Sequence, residues 1–196
     1  MMIGNPLKVA IESEITQASE LPSQMALGFF VIYVMGRSYG VRETNATTLG
    51  ASFNEVRRRI AGRGSHSLPA VMEADAESVA SAFRRAVYGE CEKNELFFAM
   101  AGAKFRDAIY SNHLVWAPDG DEAFDDGSYV LQVESQNQVR LIAFVGTPDF
   151  LYDPSSLRDL RLPGDEFYMV LQDWYDGFDD EWRSSLSKLS GAEKPL

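Results

Sequence analysis

Both faces of an extended chain are apolar in the segment Ala26-Leu27-Gly28-Phe29-Phe30-Val31-Ile32-Tyr33-Val34. Its β-branched and aromatic residues favour a strand, and apolar residues on both faces are typical of a strand inside a sheet. The preceding residues 8–16 alternate instead, with apolar residues on one side and Glu12 and Glu14 on the other. This alternation predicts a half-buried strand. We expect it to pair with residues 26–34 across the loop that contains Pro22.

Helical patterns follow these strands. The residues Ser52-Phe53-Asn54-Glu55 have the spacing of a capping box, which predicts a helix that begins there and ends at Gly62 or Gly64. The apolar residues of this helix are expected to face inward and Arg57–Arg59 to face outward. Three more helices are predicted over residues 75–89, over residues 95–111, and from Asp165 through Leu186 with a break near Gly177.

A second pair of strands is indicated later in the chain. Residues 128–134 and 138–145 alternate on either side of Ser135-Gln136-Asn137, which predicts an antiparallel hairpin. The order of strands, helices, strands and helix lacks the regular alternation of a parallel doubly wound sheet. The sequence therefore predicts the α+β class, with a mostly antiparallel sheet and helices packed on one face. We expect a single domain over residues 1–190 and a loose tail at residues 191–196.

The composition is that of a globular protein with an acidic balance. Of the 196 residues 45% are hydrophobic, and 18 basic residues against 29 acidic ones give a formal charge of -11. Such a charge repels nucleic acid and anionic lipid, so direct binding to either is not expected. No secretory signal or membrane span is predicted, and the single cysteine, Cys91, is read as a buried thiol in a reducing compartment. We therefore expect a cytoplasmic protein.

Most of the negative charge lies in the second half of the chain. Residues 99–196 hold 8 basic and 18 acidic residues, and neither residues 108–138 nor residues 162–182 contain a lysine or an arginine. These two acidic segments also contain aromatic residues, and aromatic anchors within a charged rim are typical of binding surfaces. The interpretation that the acids are only solvated and the rings belong to the core stays open. The predicted partner-binding residues are Asp119, Asp121, Glu122, Phe124, Asp125, Asp126, Asp173, Asp176, Asp179 and Asp180.

Common catalytic and cofactor motifs are missing. There is no Gly-x-Ser-x-Gly motif, no phosphate-binding glycine loop and no EF-hand, and the two histidines, His66 and His113, offer little for a triad or a zinc site. We predict no cofactor, no metal and no enzymatic activity. A small enzyme that uses a pair of carboxylates remains an alternative, as does an acidic nucleic-acid mimic or adaptor protein. The arginines at positions 57–59, 84 and 85 could bind an anion or pair with the protein's own acids.

Several segments together resemble the immunity protein 42 family, whose members are partners of bacterial polymorphic toxins. The segments that carry the resemblance are residues 2–6, 9–12 and 27–34, Gly36, Tyr39-Gly40, Thr48-Leu49, Phe53 and residues 139–144. This resemblance implies a small protein that is made beside a toxin gene, binds the toxin domain and prevents self-killing. We therefore hypothesise that the acids of the second half occlude the basic active site of a toxin, such as a nuclease.

This hypothesis makes a kinetic prediction for the first acidic segment. Reversing Asp125 and Asp126 to lysine should slow association with the toxin strongly and flatten its dependence on salt, because opposite charges accelerate encounter. Stopped-flow mixing at several salt concentrations measures both effects. Unchanged rates would remove these two residues from the contact surface.

Overall fold

The computed structural model describes residues 1–89, 95–116 and 122–192, with side chains through residue 188. Its first sheet is antiparallel, has the order β1-β2-β3-β4, and adds β5 as a third partner of β3. The apolar segment of β3 is thus paired along both edges, as the sequence predicts for a central strand. The strands of this sheet are β1 (Met2–Asn5), β2 (Val9–Ala18), β3 (Ala26–Val34), β4 (Arg37–Tyr39) and β5 (Thr47–Thr48).

Two further antiparallel sheets follow. A small one pairs β6 (Leu96–Phe97) with β7 (Met100–Ala101). The other has the order β10-β9-β8, in which the predicted hairpin supplies two strands. Its strands are β8 (Ser128–Ser135), β9 (Gln138–Val145) and β10 (Arg158–Pro163).

Helices cover these sheets from two sides. α5 packs against β1, β2 and α1, whereas α2 and α3 pack against β8 and β9 respectively. No helix in the described ranges is long and apolar enough to cross a lipid bilayer. The helices are α1 (Leu49–Ala61), α2 (Pro69–Glu73), α3 (Ala76–Tyr88), α4 (Gly102–Ser111) and α5 (Gly164–Ala192).

The sheet β8-β9-β10 is buried on both faces. Val130 and Leu141 belong to the apolar cluster that lies between this sheet, the first sheet and α5. Their chain neighbours Leu131 and Ile142 belong to a second cluster, which α2, α3 and α4 complete. Because neighbouring strand residues point to opposite faces, one sheet serves two clusters.

Phe30 of β3 lies at the centre of the first cluster. Its ring centroid is 5.0 Å from that of Trp174 in an edge-to-face arrangement, and 6.4 Å from those of Trp116 and Phe124. Such aromatic pairs stabilise a core beyond the burial of their area. Phe30 thereby joins β3 to α5 and to the two segments that precede β8.

The α+β class and the antiparallel pairing are confirmed, and several details differ. The strands divide among three sheets, and the short strands β1 and β10 were not predicted. Residues 193–196 of the predicted tail and the predicted buried thiol Cys91 lie outside the described residues. α5 runs through Gly177 without a break, and Met1 packs at the surface that this glycine leaves open.

Two helix starts are also corrected. α1 begins at Leu49, directly after β5 pairs with β3, so that Ser52 lies inside the helix with its hydroxyl buried and does not cap it. α4 begins only at Gly102, because Phe98 and Ala99 have positive φ angles in the tight turn between β6 and β7. That turn interrupts the helix predicted from residue 95.

The central position of Phe30 can be tested by truncation. Phe30→Ala should lower the free energy of unfolding by about 3–5 kcal/mol, because it leaves a cavity among three aromatic rings. The matched control is Phe150→Ala, whose ring is half exposed, and it should change stability by less than roughly 0.5 kcal/mol. Urea unfolding of both variants provides the comparison, and similar losses would contradict the assignment.

Candidate partner-binding surface

α5 is held against the first sheet at three points along its length. Near its start, Glu166 pairs with Lys8 at 2.5 Å. Further along, the indole Nε1 of Trp174 donates to Ser13 Oγ at 3.0 Å, and that of Trp182 donates to the carbonyl of Ser19 at 3.0 Å. These contacts follow β2 in order, so they fix the rotation of the helix and decide which residues face outward.

The outward face of α5 is acidic. Asp173, Asp176 and Asp180 are exposed, and none of the ion pairs formed by the described residues includes them. Met169 lies one turn before Asp173 and is 59% exposed. These four residues, which we call the α5 acidic face, follow a spacing of four, three and four, so they form one stripe on the helix.

Asp179 differs from its acidic neighbours. It is half-buried, and Arg183 donates to its carboxylate at 2.7 Å. The ion pair neutralises the charge of Asp179 locally, and the hydrogen bond to Asp179 raises the pKa of Arg183 above its ordinary value. Asp179 therefore contributes less than the sequence suggests to the negative potential of the helix.

The first acidic segment forms a short 3-10 helix at Glu122–Phe124. Glu122 and Asp125 are exposed and take part in no ion pair of the described chain, whereas Asp126 accepts hydrogen bonds from the backbone N–H and the hydroxyl of Ser128 at 3.0 and 2.8 Å. Asp126 thus helps to form the turn before β8. The predicted residues Asp119 and Asp121 lie outside the described residues.

The aromatic residues of both acidic segments lie in or against the core. Trp174, Phe178 and Phe124 are buried, and Tyr175 stacks on Phe53 with a centroid distance of 4.4 Å. Phe124 therefore cannot serve as an exposed anchor, which corrects its place among the predicted binding residues. The sequence analysis missed Met169, although helical periodicity places it opposite the inward residues of α5.

The two acidic segments pack against different parts of the fold. The 3-10 helix contacts β3 and β5, while α5 lies on β1, β2 and α1. The hydrogen bonds that join the longer acidic segments lie away from the 3-10 helix, between Tyr168 and both Gln132 and Glu134 and between Asn137 and Asp165. We therefore consider α5 and the 3-10 helix as separate patches.

The arginines of α1 and α3 are largely engaged inside the protein. Arg84 donates to two backbone carbonyls and to the hydroxyl of Tyr129, and Arg85 pairs with Glu95 at 2.6 Å. The exposed side chain of Arg58 pairs with Glu55 at a distance of 2.5 Å. Most of the arginine patch thus has internal partners, and the pairing alternative describes it better than anion binding.

Arg59 is buried, which contradicts its predicted outward position. Its Nε donates to Glu55 at 2.8 Å, Nη1 donates to the side chain of Gln132 at 2.9 Å, and Nη2 donates to the carbonyl of Val115 at 2.6 Å. The guanidinium also lies 4.3 Å from the ring centroid of Trp116. Burial lowers the pKa of Arg59 to about 10, so it remains charged at neutral pH. We call these five residues the Arg59 network.

The buried carboxylates are likewise occupied. Glu134 accepts hydrogen bonds from Gln132, from the hydroxyl of Tyr168 and from the backbone N–H of Gly64. Burial and the neighbouring Glu134 raise the pKa of Tyr168. In residues 1–89, 95–116 and 122–192, no group of three or more metal-ligating side chains could hold an ion.

Comparisons with known proteins give one family match and one match in fold. The family model Imm42, described as immunity protein 42, matches residues 1–177. The chain is also similar to a solved structure, the crystal structure of CdiI from Burkholderia dolosa, with 20% identity and a TM-score of 0.51. The similarity covers 88% of this chain and 97% of that one, and at this identity it shows a shared fold. No curated protein sequence gives a significant match.

The Arg59 network makes a prediction about stability. Arg59→Ala should lower the free energy of unfolding by roughly 3–5 kcal/mol, because it leaves buried acceptors without their donor. The neighbouring Arg58→Ala serves as the control, since Arg58 also contacts Glu55 but is exposed, and its effect should stay within about 0.5 kcal/mol. Thermal and urea unfolding measure both, and equal effects would show that Arg59 does not hold the network together.

Proposed function

The chain belongs to the immunity protein 42 family, and we propose that it protects its cell by covering the basic active site of a cognate toxin with the α5 acidic face. The family assigns the chain an immunity function against a toxin, which implies that it binds that toxin. We propose in addition which surface of the chain binds, which kind of toxin it binds and how that toxin is inhibited.

The observation that carries the proposal is the exposed charge of Asp173, Asp176 and Asp180 on a helix whose rotation is fixed. Asp176 accepts a hydrogen bond from the neutral side chain of Gln172 at 3.0 Å, which leaves its charge in place. Charges outside ion pairs produce a field that extends into solvent and accelerates association with a positively charged partner. Met169 lies on the same stripe and offers an apolar contact inside the charged area. A rigid helix also loses little conformational entropy on binding, so more of the interaction energy appears as affinity.

A nuclease is the toxin class that fits this charge best. Enzymes that cleave nucleic acid bind phosphates through lysines and arginines, so their active sites are basic. An acidic helix that covers such a site would compete directly with the substrate. This encounter would take place in the cytoplasm, where a nuclease meets its nucleic-acid substrate.

We propose that inhibition occurs by binding alone, without turnover. An immunity family suggests an inhibitor that is not an enzyme. The described buried carboxylates Glu55 and Glu134 support this view, since protein donors already occupy their oxygens. If the purified chain converted the toxin or a metabolite catalytically, the alternative of a carboxylate-dependent enzyme would apply instead.

The acids around the 3-10 helix form a second, smaller candidate contact. Glu122 and Asp125 are exposed and belong to no ion pair among the described residues. Asp126 is a less suitable probe, because replacing it also breaks the turn that it forms with Ser128. The single change Asp125→Lys therefore separates contact from folding better than the double reversal does.

The α5 acidic face is tested by charge reversal. A variant with Asp173→Lys, Asp176→Lys and Asp180→Lys should associate with the toxin at least about tenfold more slowly at low salt, because it repels a basic partner. Surface plasmon resonance against the catalytically inactive toxin, at several salt concentrations, measures the rate. A growth-rescue assay should show reduced protection from the active toxin.

The matched control reverses three exposed acids elsewhere, namely Glu43, Glu73 and Glu77. Both triple variants change the net charge by the same amount, so the control separates a local contact from the overall field. We expect the control to protect cells and to associate much faster than the α5 variant. Equal rates for the two variants would rule out α5 as the contact surface.

A further inference from the structure

A cavity of about 360 Å³ lies at the C-terminal end of α1. Arg58 and Gly62 form one side of it, and Ser65, His66 and His113 contribute to the other. This volume falls within the range of pockets that bind small ligands. The cavity lies apart from the α5 acidic face, and the inference below does not depend on the proposed function.

His66 is 2% exposed, and one of its ring nitrogens has no hydrogen-bond partner within the described part of the chain. Its backbone carbonyl accepts a hydrogen bond from the N–H of Glu134 at 2.7 Å, which holds the residue beside β8. On the ring, Nδ1 lies 3.2 Å from the carbonyl oxygen of Asn112 and 3.1 Å from that of His113. Nε2 is buried without a hydrogen-bond partner among the described residues and faces Gly62, where an added Cβ would lie 3.5 Å away.

These contacts determine what Nε2 can accept. Carbonyl oxygens only accept hydrogen bonds, so Nδ1 must carry a proton. Burial, together with the nearby Arg59, lowers the pKa of His66, and the ring is therefore neutral near pH 7. In a neutral ring with a protonated Nδ1, Nε2 holds a lone pair. A buried lone pair without a donor is costly, and a ligand that donates to it removes this cost.

Several other polar groups of the cavity wall are already paired. Glu55 receives hydrogen bonds from both Arg58 and Arg59, and Arg59 also donates to Gln132 and Val115. The hydroxyl of Ser65 donates to the carbonyl of Gly62 at 2.5 Å. Because the wall holds two arginines and one glutamate, it disfavours a cationic donor, and an anion would not donate to Nε2, whereas an uncharged donor would find Nε2.

We propose that this cavity is a binding site for an uncharged hydrogen-bond donor with a small apolar body, which donates its O–H or N–H to Nε2 of His66. The donor comes either from a free small molecule or from a side chain of a bound protein. Phenol has the required chemistry and serves as the probe. Anisole, its methyl ether, has a similar body without the donor.

Nitrogen NMR of the full chain tests the site, since the protein has two histidines and their ring signals are readily told apart. Adding phenol should shift the Nε2 signal of His66 in the direction of an accepted hydrogen bond. Anisole should bind at least about tenfold more weakly, because it leaves the buried acceptor unpaired. Equal binding of the two compounds, or no shift of His66 with phenol, overturns the proposal.

Two variants and one further titration complete the experiment. His66→Gln removes the ring acceptor and should abolish the preference for phenol. Gly62→Ala places a methyl group near Nε2 and should weaken phenol binding while His66 remains as a reporter. If the inactive toxin domain alone shifts the Nε2 signal, the donor is a toxin side chain; if it does not and phenol does, the site takes a free small molecule. Neither result depends on the charge-reversal measurements on α5.

Discussion

The guanidinium of Arg59 connects parts of the chain that are far apart in sequence. It joins α1 to β8 through Gln132 and to the segment before β8 through Val115, while Trp116 covers its flat face. A buried charge is tolerated only when it is paired and hydrogen-bonded, so the positions of these partners are tightly constrained. The packing of α1 on the core, and with it the wall of the His66 cavity, depends on this arrangement.

A second constraint acts along α5. Trp174 is buried and Trp182 is partly buried, and each donates a hydrogen bond to the region of β2, which sets the rotation of the helix. The rings face inward, and Asp173, Asp176 and Asp180 are consequently presented to solvent. The same sequence segment thus supplies the core with its largest fully buried side chain, Trp174, and the surface with several negative charges.

Patterns that are local in sequence predicted much of the fold. The apolar run of β3, the alternating hairpin β8–β9 and the helix capped by Asp75 all appear in the structure, since each depends on neighbouring residues. β10 was not predicted, although its burial alternates along the strand, because only two apolar residues, Leu160 and Leu162, mark its inward side before it pairs with β9. The burial of Arg59 could not be predicted from local patterns either, since its partner Gln132 lies 73 residues further along the chain. Within the candidate surface, periodicity could have revealed Met169 and the inward rings, whereas the ion pair at Asp179 required the structure.

The sheet β8-β9-β10 separates two apolar clusters and contributes alternate residues to each. Neither cluster can lose this wall without exposing the other, so we expect the two halves of the molecule to melt in one cooperative transition. The helix that we propose for toxin binding would then persist as long as the whole fold does. Few molecules of such a protein would be partly unfolded at any time, so a protease would find few sites to cleave. Such resistance suits a protein that must stay folded and able to bind for as long as the cell lives.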